Sequence, residues 1–471
     1  MDCYLVEVII KRKEGFVMNK LAKVVAGFGA LALIAVPAMP VGATEITVTQ
    51  EDITAKLESA VAGDVLLLQN GNYPLLTIDK EITISAAEGA DKVVLAGATI
   101  KANNVTIEGV TFETEGKNAI VLDSAENVTI RNNEFKGAFS RAIEGNSVEV
   151  SNLSIVSNTF TGATVEDNHD IYIQGTGSGV NVTGNNLDGI VQLRGNANDA
   201  RLEDANMSNN TFKAEANEDT AHTMMMAMYV DGLTVNNNEA TLAEGVIKPI
   251  GDAISLNGGV SDAEITGNTI NGFLDGISSW TSRYFATPDA ISNDINITNN
   301  KISNAVRAGI LVSGGTNAVS IADNTITGGK YGTLISVSAD NEVNSDIEVA
   351  GGNTISNASE AAIYVHEKAV AGKVKVVTNT NTFINNKANI VVENDADLVE
   401  EVQEPVEIPG EPTEPGQDAE TEPEAPTTDD EADITAPNTG TSVANAALVI
   451  VGAIVAVLTA VYAARFADAK K

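Results

Sequence analysis

The chain has 471 residues, a net charge of −36, an aromatic content of only 4% against 43% hydrophobic residues, and 40 glycines. Length alone allows two or three ordinary domains or one long repeat with a continuous core, and any core must be built from Val, Ile, Leu and Ala. The acidity argues against nucleic acid as a partner, because phosphate binding needs Lys and Arg. The single cysteine, Cys3, lies upstream of the expected processing site, which excludes disulfides, thiol catalysis and cysteine-ligated metals from the mature chain.

Residues 1–43 read as a secretory signal, with Met18 a second candidate start. Met18-Asn19-Lys20-Leu21-Ala22-Lys23 is a basic opening, Val24 to Val36 is apolar, and Val41 and Ala43 supply small residues for cleavage after Ala43. A retained N-terminal anchor is the alternative. Thr49 is then expected to cap a helix over Gln50 to Ala62, with Ile53, Leu57 and Val61 on one face and Gly63 ending it. Such a helix would cover the open end of whatever sheet follows.

Residues 44–394 carry a recurrent unit: two apolar residues at period two, a turn Asn, then another apolar residue. It is plain in Val128-Thr129-Ile130-Arg131-Asn132-Asn133-Glu134-Phe135 and in Leu153-Ser154-Ile155-Val156-Ser157-Asn158-Thr159-Phe160. Further copies centre on Asn185, Asn210, Asn238, Asn268, Asn300 and Asn324; Ile107 to Phe112 is an earlier copy with Val110 at the Asn position, and Asn353 and Asn381 continue the series with slipped spacing. A period of roughly 23 to 32 residues marks a solenoid, and the β-branched, period-two pattern excludes helical repeats. About eleven coils stacked ~4.8 Å apart predict an all-β rod of about 50 Å. Asn tolerates the left-handed backbone of a tight turn, and its amides can bond along a stacked column.

These residues resemble the asparagine ladder of the pectate-lyase-like superfamily, which implies a right-handed parallel β-helix. A second strand per coil reads Ile171-Tyr172-Ile173, Ile190 to Leu193, Ile254-Ser255-Leu256, Ile310-Leu311-Val312 and Ile363-Tyr364-Val365. Its outward positions vary, as a functional face on a constant scaffold would. Ligand-binding candidates are Trp280, Arg283 and Tyr284, with Phe285, in the longest irregular insertion. The outward row Tyr172, Gln174, Gln192 and Arg194, beside His169 and Asp170, adds a second set. Sugars stack on aromatic rings, and an Arg fork can hold a uronate carboxylate. A loop packing its own rings and an ordinary polar face are the alternatives. The superfamily includes polysaccharide lyases; the resemblance then implies Lys248, Arg283 and Arg307 as available bases, and Asp252 and Asp275 as oxygen ligands for Ca²⁺.

From about Asp395 to Thr435 the chain is acidic and rich in proline, with 17 acidic residues and no Lys or Arg between Glu393 and Asp433. This composition reads as an extended stalk. Ala436-Pro437-Asn438-Thr439-Gly440, the apolar run Val443 to Ala464, and Arg465, Lys470 and Lys471 resemble the Leu-Pro-x-Thr-Gly sorting signal of sortase substrates, with Ala436 in place of Leu. The resemblance implies cleavage between Thr439 and Gly440 and attachment to cell-wall peptide; a membrane-spanning tail helix is the alternative. The expected function is a surface-anchored, glycan-binding or adhesive β-helix protein. A polysaccharide lyase or hydrolase acting on uronate-containing polymers, and a structural spacer, are the alternatives.

Overall fold

The structure is a computed structural model. It describes residues 43–400, apart from 114–117, 138, 162–168, 215–222, 243–250, 282–289, 337–344, 368, 370–373 and 394–395. The chain divides into Met1–Gln403 and Glu404–Lys471. The second unit, with the sorting motif and Val443 to Ala464, lies outside the described residues, as do the signal segment, Lys248, Arg283, Tyr284 and Phe285. Among the described residues, no helix is long and apolar enough to cross a membrane.

Short strands climb in three columns, here sheets 1, 2 and 3, and every pairing between their strands is parallel; successive Ile107, Ile130 and Ile155 show the register. Sheet 1 contains Ala98–Ile100, Ile120–Leu122, Ile190–Gly195, Ile254–Leu256, Asp275–Ser279 and Ala308–Val312. Sheet 2 contains Val65–Leu68, Thr129–Arg131, Leu202–Ser208 and Ser261–Thr266. Two long strands, Arg141–Val156 and His169–Thr183, run unbroken from sheet 1 into sheet 2 and join them into one 27-stranded sheet. Sheet 3 is separate and has 13 strands among the described residues. The coil count is therefore thirteen where eleven was expected, a rod of ~60 Å at ~4.8 Å per rung. Early coils lack the diagnostic Asn: their sheet 3 strands begin at Gly71, Val93 and Thr111.

Alternation explains the core. In Val128-Thr129-Ile130-Arg131 the two aliphatic side chains are fully buried, while Thr129 and Arg131 are half-buried. The same inward position is filled by Ile84, Ile107, Ile130, Ile155, Val182, Met207, Val235, Ile265, Ile297, Ile321, Val349 and Val376, all at 0% exposure. Each such residue contributes roughly 1.5–3 kcal/mol by burial. Phe112, Phe135 and Phe160 stack with ring centroids 4.9 and 4.6 Å apart, filling the sheet 3 corner with aromatic contact.

The asparagine column is real and continuous. Asn133, Asn158, Asn185, Asn210, Asn238, Asn268, Asn300, Asn324, Asn353 and Asn381 each sit one coil above the last. Each backbone N–H and side-chain Nδ2–H donates to the next Oδ1, at 2.9–3.1 Å. Val110 N–H opens the column by donating to Asn133 Oδ1. The expected reason for Asn here needs correction. The left-handed residue is the one before it: Asn132, Ser157, Asn209, Asn237, Asn299 and Asp323 have φ between 52° and 57°. That residue makes the corner, which frees the ladder Asn to point inward and satisfy buried backbone groups.

The N-terminal helix is shorter than expected. Helix α1 spans Ile53–Ser59, because Asp52 Oδ1 accepts from Thr49 N–H (2.7 Å) and Oγ–H (3.0 Å) and holds residues 49–52 as a turn. Ile53 is buried and Leu57 packs on the core, but Val61 is 58% exposed. Strand Glu45–Val48 precedes α1 and pairs with Val65–Leu68, so the helix interrupts the first coil and does not stand ahead of it. At the other end the last strand, Asp397–Val399, pairs with Val374–Val377 just past the expected edge of the rod.

Candidate functional site

Outward positions of sheet 1 form one register row: Glu144, Tyr172, Gln192, Met226, Ser255, Ser278, Leu311, Leu334 and Tyr364. A solvated solenoid face would expose such residues, yet Tyr172, Ser255 and Ser278 are 7%, 4% and 0% exposed. They are held in two networks, separated by a rung that presents Met226 and Met228.

The first network surrounds Tyr172. The Arg141 guanidinium lies 3.7 Å from its ring centroid and pairs with Glu144, while the His169 ring meets Tyr172 edge-on at 5.4 Å. Tyr172 Oη–H donates to Gln174 Oε1 at 2.6 Å, and His169 Nε2 lies 3.1 Å from Gln192 Oε1. Gln174 and Arg194 pair in register, which places the sequence-predicted Tyr172, Gln174 and Arg194 on one surface. Asp170 is buried beside them and accepts from the backbone N–H groups of Asp188 (2.9 Å) and Gly189 (2.8 Å). Burial first, then the Asp188 charge, pushes the Asp170 carboxyl well above the usual range.

The second network joins residues that the sequence placed in separate roles. Ile254 and Ile277 pair in register, so Asp252 and Asp275, each two residues earlier, stack at one edge of sheet 1. Asp275 is fully buried. Its Oδ1 accepts from Ala308 N–H (2.9 Å) and Arg307 Nε–H (3.0 Å), and Oδ2 accepts from Arg307 Nε–H (3.1 Å) and Nη2–H. Those bonds hold the guanidinium in its charged form. Asp252 Oδ2 accepts from Ser278 Oγ–H at 2.6 Å; Ser255 Oγ lies 3.1 Å from Ser278 Oγ and donates to Asn257 Oδ1 at 2.7 Å. Trp280 Nε1–H donates to Ser255 Oγ at 3.3 Å. Burial, then the neighbouring Asp275 charge, pushes Asp252 up to about 7, against the opposing pull of the Ser278 hydroxyl and Arg307. One run of bonds leads from a half-buried Trp280 through Ser255 and Ser278 to Asp252, and Asp275 stacked beside it holds Arg307, whose side chain is 43% exposed.

This arrangement does not fit Ca²⁺ between Asp252 and Asp275. A guanidinium already occupies the side of Asp275 that a cation would take, and both its oxygens are engaged. Among the described residues no three His, Cys, Asp or Glu converge on a metal-binding point. Arg307 as a lyase base meets a related difficulty, since its forked pairing with Asp275 favours the protonated form. An open depression of about 320 Å³ lies elsewhere, on sheet 2, between Asn152, Ser154, Asn181, Asp204 and Asn206.

Residues 169–347 match the family model described as the right handed beta helix region. The solenoid is a right-handed parallel β-helix. This helix spans both networks. No curated protein matches the chain. Among solved structures, the β-helix is similar to the A-module of mannuronan C-5 epimerase AlgE4 of Azotobacter vinelandii, at 12% identity and a TM-score of 0.40, covering 75% of this chain and 94% of that one. It is also similar to the Dettilon tailspike protein (13%, TM-score 0.45, covering 73% and 64%). The catalytic domain of a GH87 α-1,3-glucanase in complex with nigerose is a third (15%, TM-score 0.45, covering 75% and 66%).

Proposed function

We propose that this is a cell-surface protein whose β-helix binds glycan along the outward face of sheet 1. The observation that carries the reading is the second network. The chain's one tryptophan stands at its rim, held by its indole N–H to a lattice of Ser255, Asn257, Ser278 and Asp252, with the Asp275–Arg307 pair stacked beside it. An aromatic platform with fixed polar groups beside it is the usual chemistry of sugar recognition: the ring covers the apolar face and the polar groups take hydroxyls. The rungs repeat every ~4.8 Å, so a polymer lying along the axis meets one outward position per coil.

Surface attachment follows from the sequence at both ends. The segment to Ala43 serves export, Asp395 to Thr435 serves as a stalk, and Pro437, Thr439 and Gly440 serve as the sortase site ahead of the apolar run. A wall-released fragment ending at Thr439 would support sortase processing.

A second reading is a hydrolase, favoured by the pairing of two unlike carboxyls: Asp252, pushed up to about 7 by burial, stacks beside the Arg-paired Asp275, a division of labour suited to acid catalysis. The two readings separate on one preparation. The purified full-length chain is applied to immobilised pectin, alginate, chondroitin, glucans and host glycans. Retention without turnover, reduced at least tenfold in Trp280→Ala, is the expected result. New reducing ends abolished by Asp252→Asn would establish the hydrolase, and absorbance from unsaturated uronate would establish a lyase. Retention unchanged in Trp280→Ala would remove the site from this face.

A further inference from the structure

The second network fixes the charge that this face presents. Arg307 is the cation of that network among the described residues, at the opposite end of the strand from Trp280, and a free guanidinium there would be a strong point of attachment for an acidic sugar. It is not free. Asp275, buried and anchored by Ala308 N–H, takes Arg307 through Nε and Nη2, leaving only the remaining guanidinium N–H groups for a ligand. Those can donate to neutral hydroxyls, but the full positive charge they carry is already balanced at contact distance. The other network repeats the device: Arg141 is stacked on Tyr172 and paired with Glu144.

We propose that Asp275 sets the charge class of the ligand: by neutralising Arg307 it makes the outward face of sheet 1 at these coils select uncharged saccharides and reject uronic-acid polymers. This rests on the glycan-binding reading and deepens it. A uronate carboxylate brought to Arg307 would displace no water-exposed counterion. It would meet a buried carboxylate that cannot leave, with Asp252 behind it. The penalty falls on the charged ligand alone, because a hydroxyl asks only for a hydrogen bond. Selection of this kind works by repulsion of the wrong ligand as much as attraction of the right one.

The test compares the full-length protein with an uncharged panel (a β-glucan, an α-glucan and a mannan) and with polygalacturonate and alginate, by affinity electrophoresis at low salt. The expected result is binding to at least one uncharged polymer, at least tenfold tighter than to either uronate. In Asp275→Asn, which retains an acceptor for Ala308 N–H, uronate binding should rise at least tenfold. Adding Arg307→Gln to that variant should abolish the gain. Preferential binding of the wild type to a uronate would overturn the inference while leaving the glycan-binding reading intact, and needs no variant to fold. A folded Asp275→Asn with no gain for uronates would also overturn it. Binding to neither class would overturn both.

Discussion

Replacing Asn210 by Ala removes one unit from the middle of the asparagine column. Asn210 is 1% exposed. Its Oδ1 accepts from Asn185 N–H (2.9 Å) and Nδ2–H (3.0 Å), and its Nδ2 donates to Val182 C=O (2.9 Å) and Asn238 Oδ1 (3.0 Å). The Asn185 amide still reaches Ile155 C=O, but the buried Asn185 backbone N–H loses this acceptor. An orphaned buried donor costs about 1–3 kcal/mol, and the three other lost bonds contribute about 1 kcal/mol each, so the variant should lose about 4–6 kcal/mol. Asn127 is the control: it is exposed, left-handed at φ 52°, and bonds only outward along the neighbouring row of Asn104 and Asn152. Asn127→Gly keeps the backbone conformation and should change stability by less than about 1 kcal/mol. Urea titration followed by far-ultraviolet circular dichroism gives the difference, and amide exchange at Asn185 and Asn238 shows whether the loss is centred on that coil, as nearest-neighbour coupling requires. A cost below about 1 kcal/mol, or one equal to the control, would refute the energetic role assigned to the column.

Two further outcomes follow from the geometry. Gly175 lies where the strand running from sheet 1 into sheet 2 passes the coil below, and a Cβ there would sit 1.8 Å from Val148 O. Gly175→Ala should therefore lower stability by at least about 2 kcal/mol; an unchanged melting temperature would show that the two coils can part there. The Asp252 carboxyl, raised from 3.8 to about 7 in the folded state, gives a pH effect of definite sign. Between those values the folded chain holds a proton that the unfolded chain has released. The stabilisation is full below about pH 3.8, fades as pH rises through 7 and is absent above it. Asp252→Asn should shrink the difference in unfolding free energy between pH 5 and pH 8, and an unaltered difference would mean that Asp252 does not titrate in this range.

The rod was legible in the sequence because its cause is local and repeated. A buried aliphatic pair followed by an amide is visible at Val128, Ile130 and Asn133 without knowledge of any other coil. The coil at Ile107 to Phe112 was legible despite Val110 in place of the amide; the two before it were missed because Gly71 and Val93 stand there. The corner residue was misassigned because Asn132 and Asn133 are adjacent and identical; Ser157 and Gly184, before Asn158 and Asn185, are the signal that separates the two roles. The length of α1 was overestimated because apolar spacing is silent about Asp52, whose carboxylate ties back to Thr49. At the site, Asp252 and Asp275 were read as neighbours in successive coils, but the seating of Arg307 on Asp275 and of Trp280 on Ser255 was not. Arg307 follows Asp275 by 32 residues, and only the stacking register brings the guanidinium onto that carboxylate.

The two kinds of position along each strand answer to different constraints. The inward row is a single aliphatic file in which every occupant touches its counterparts above and below. The outward row of sheet 1 passes from Glu144 through Met226 to Leu311 and Tyr364 with no common chemistry at all. Mutation can therefore rewrite what the rod displays, one storey at a time, without renegotiating what keeps it standing.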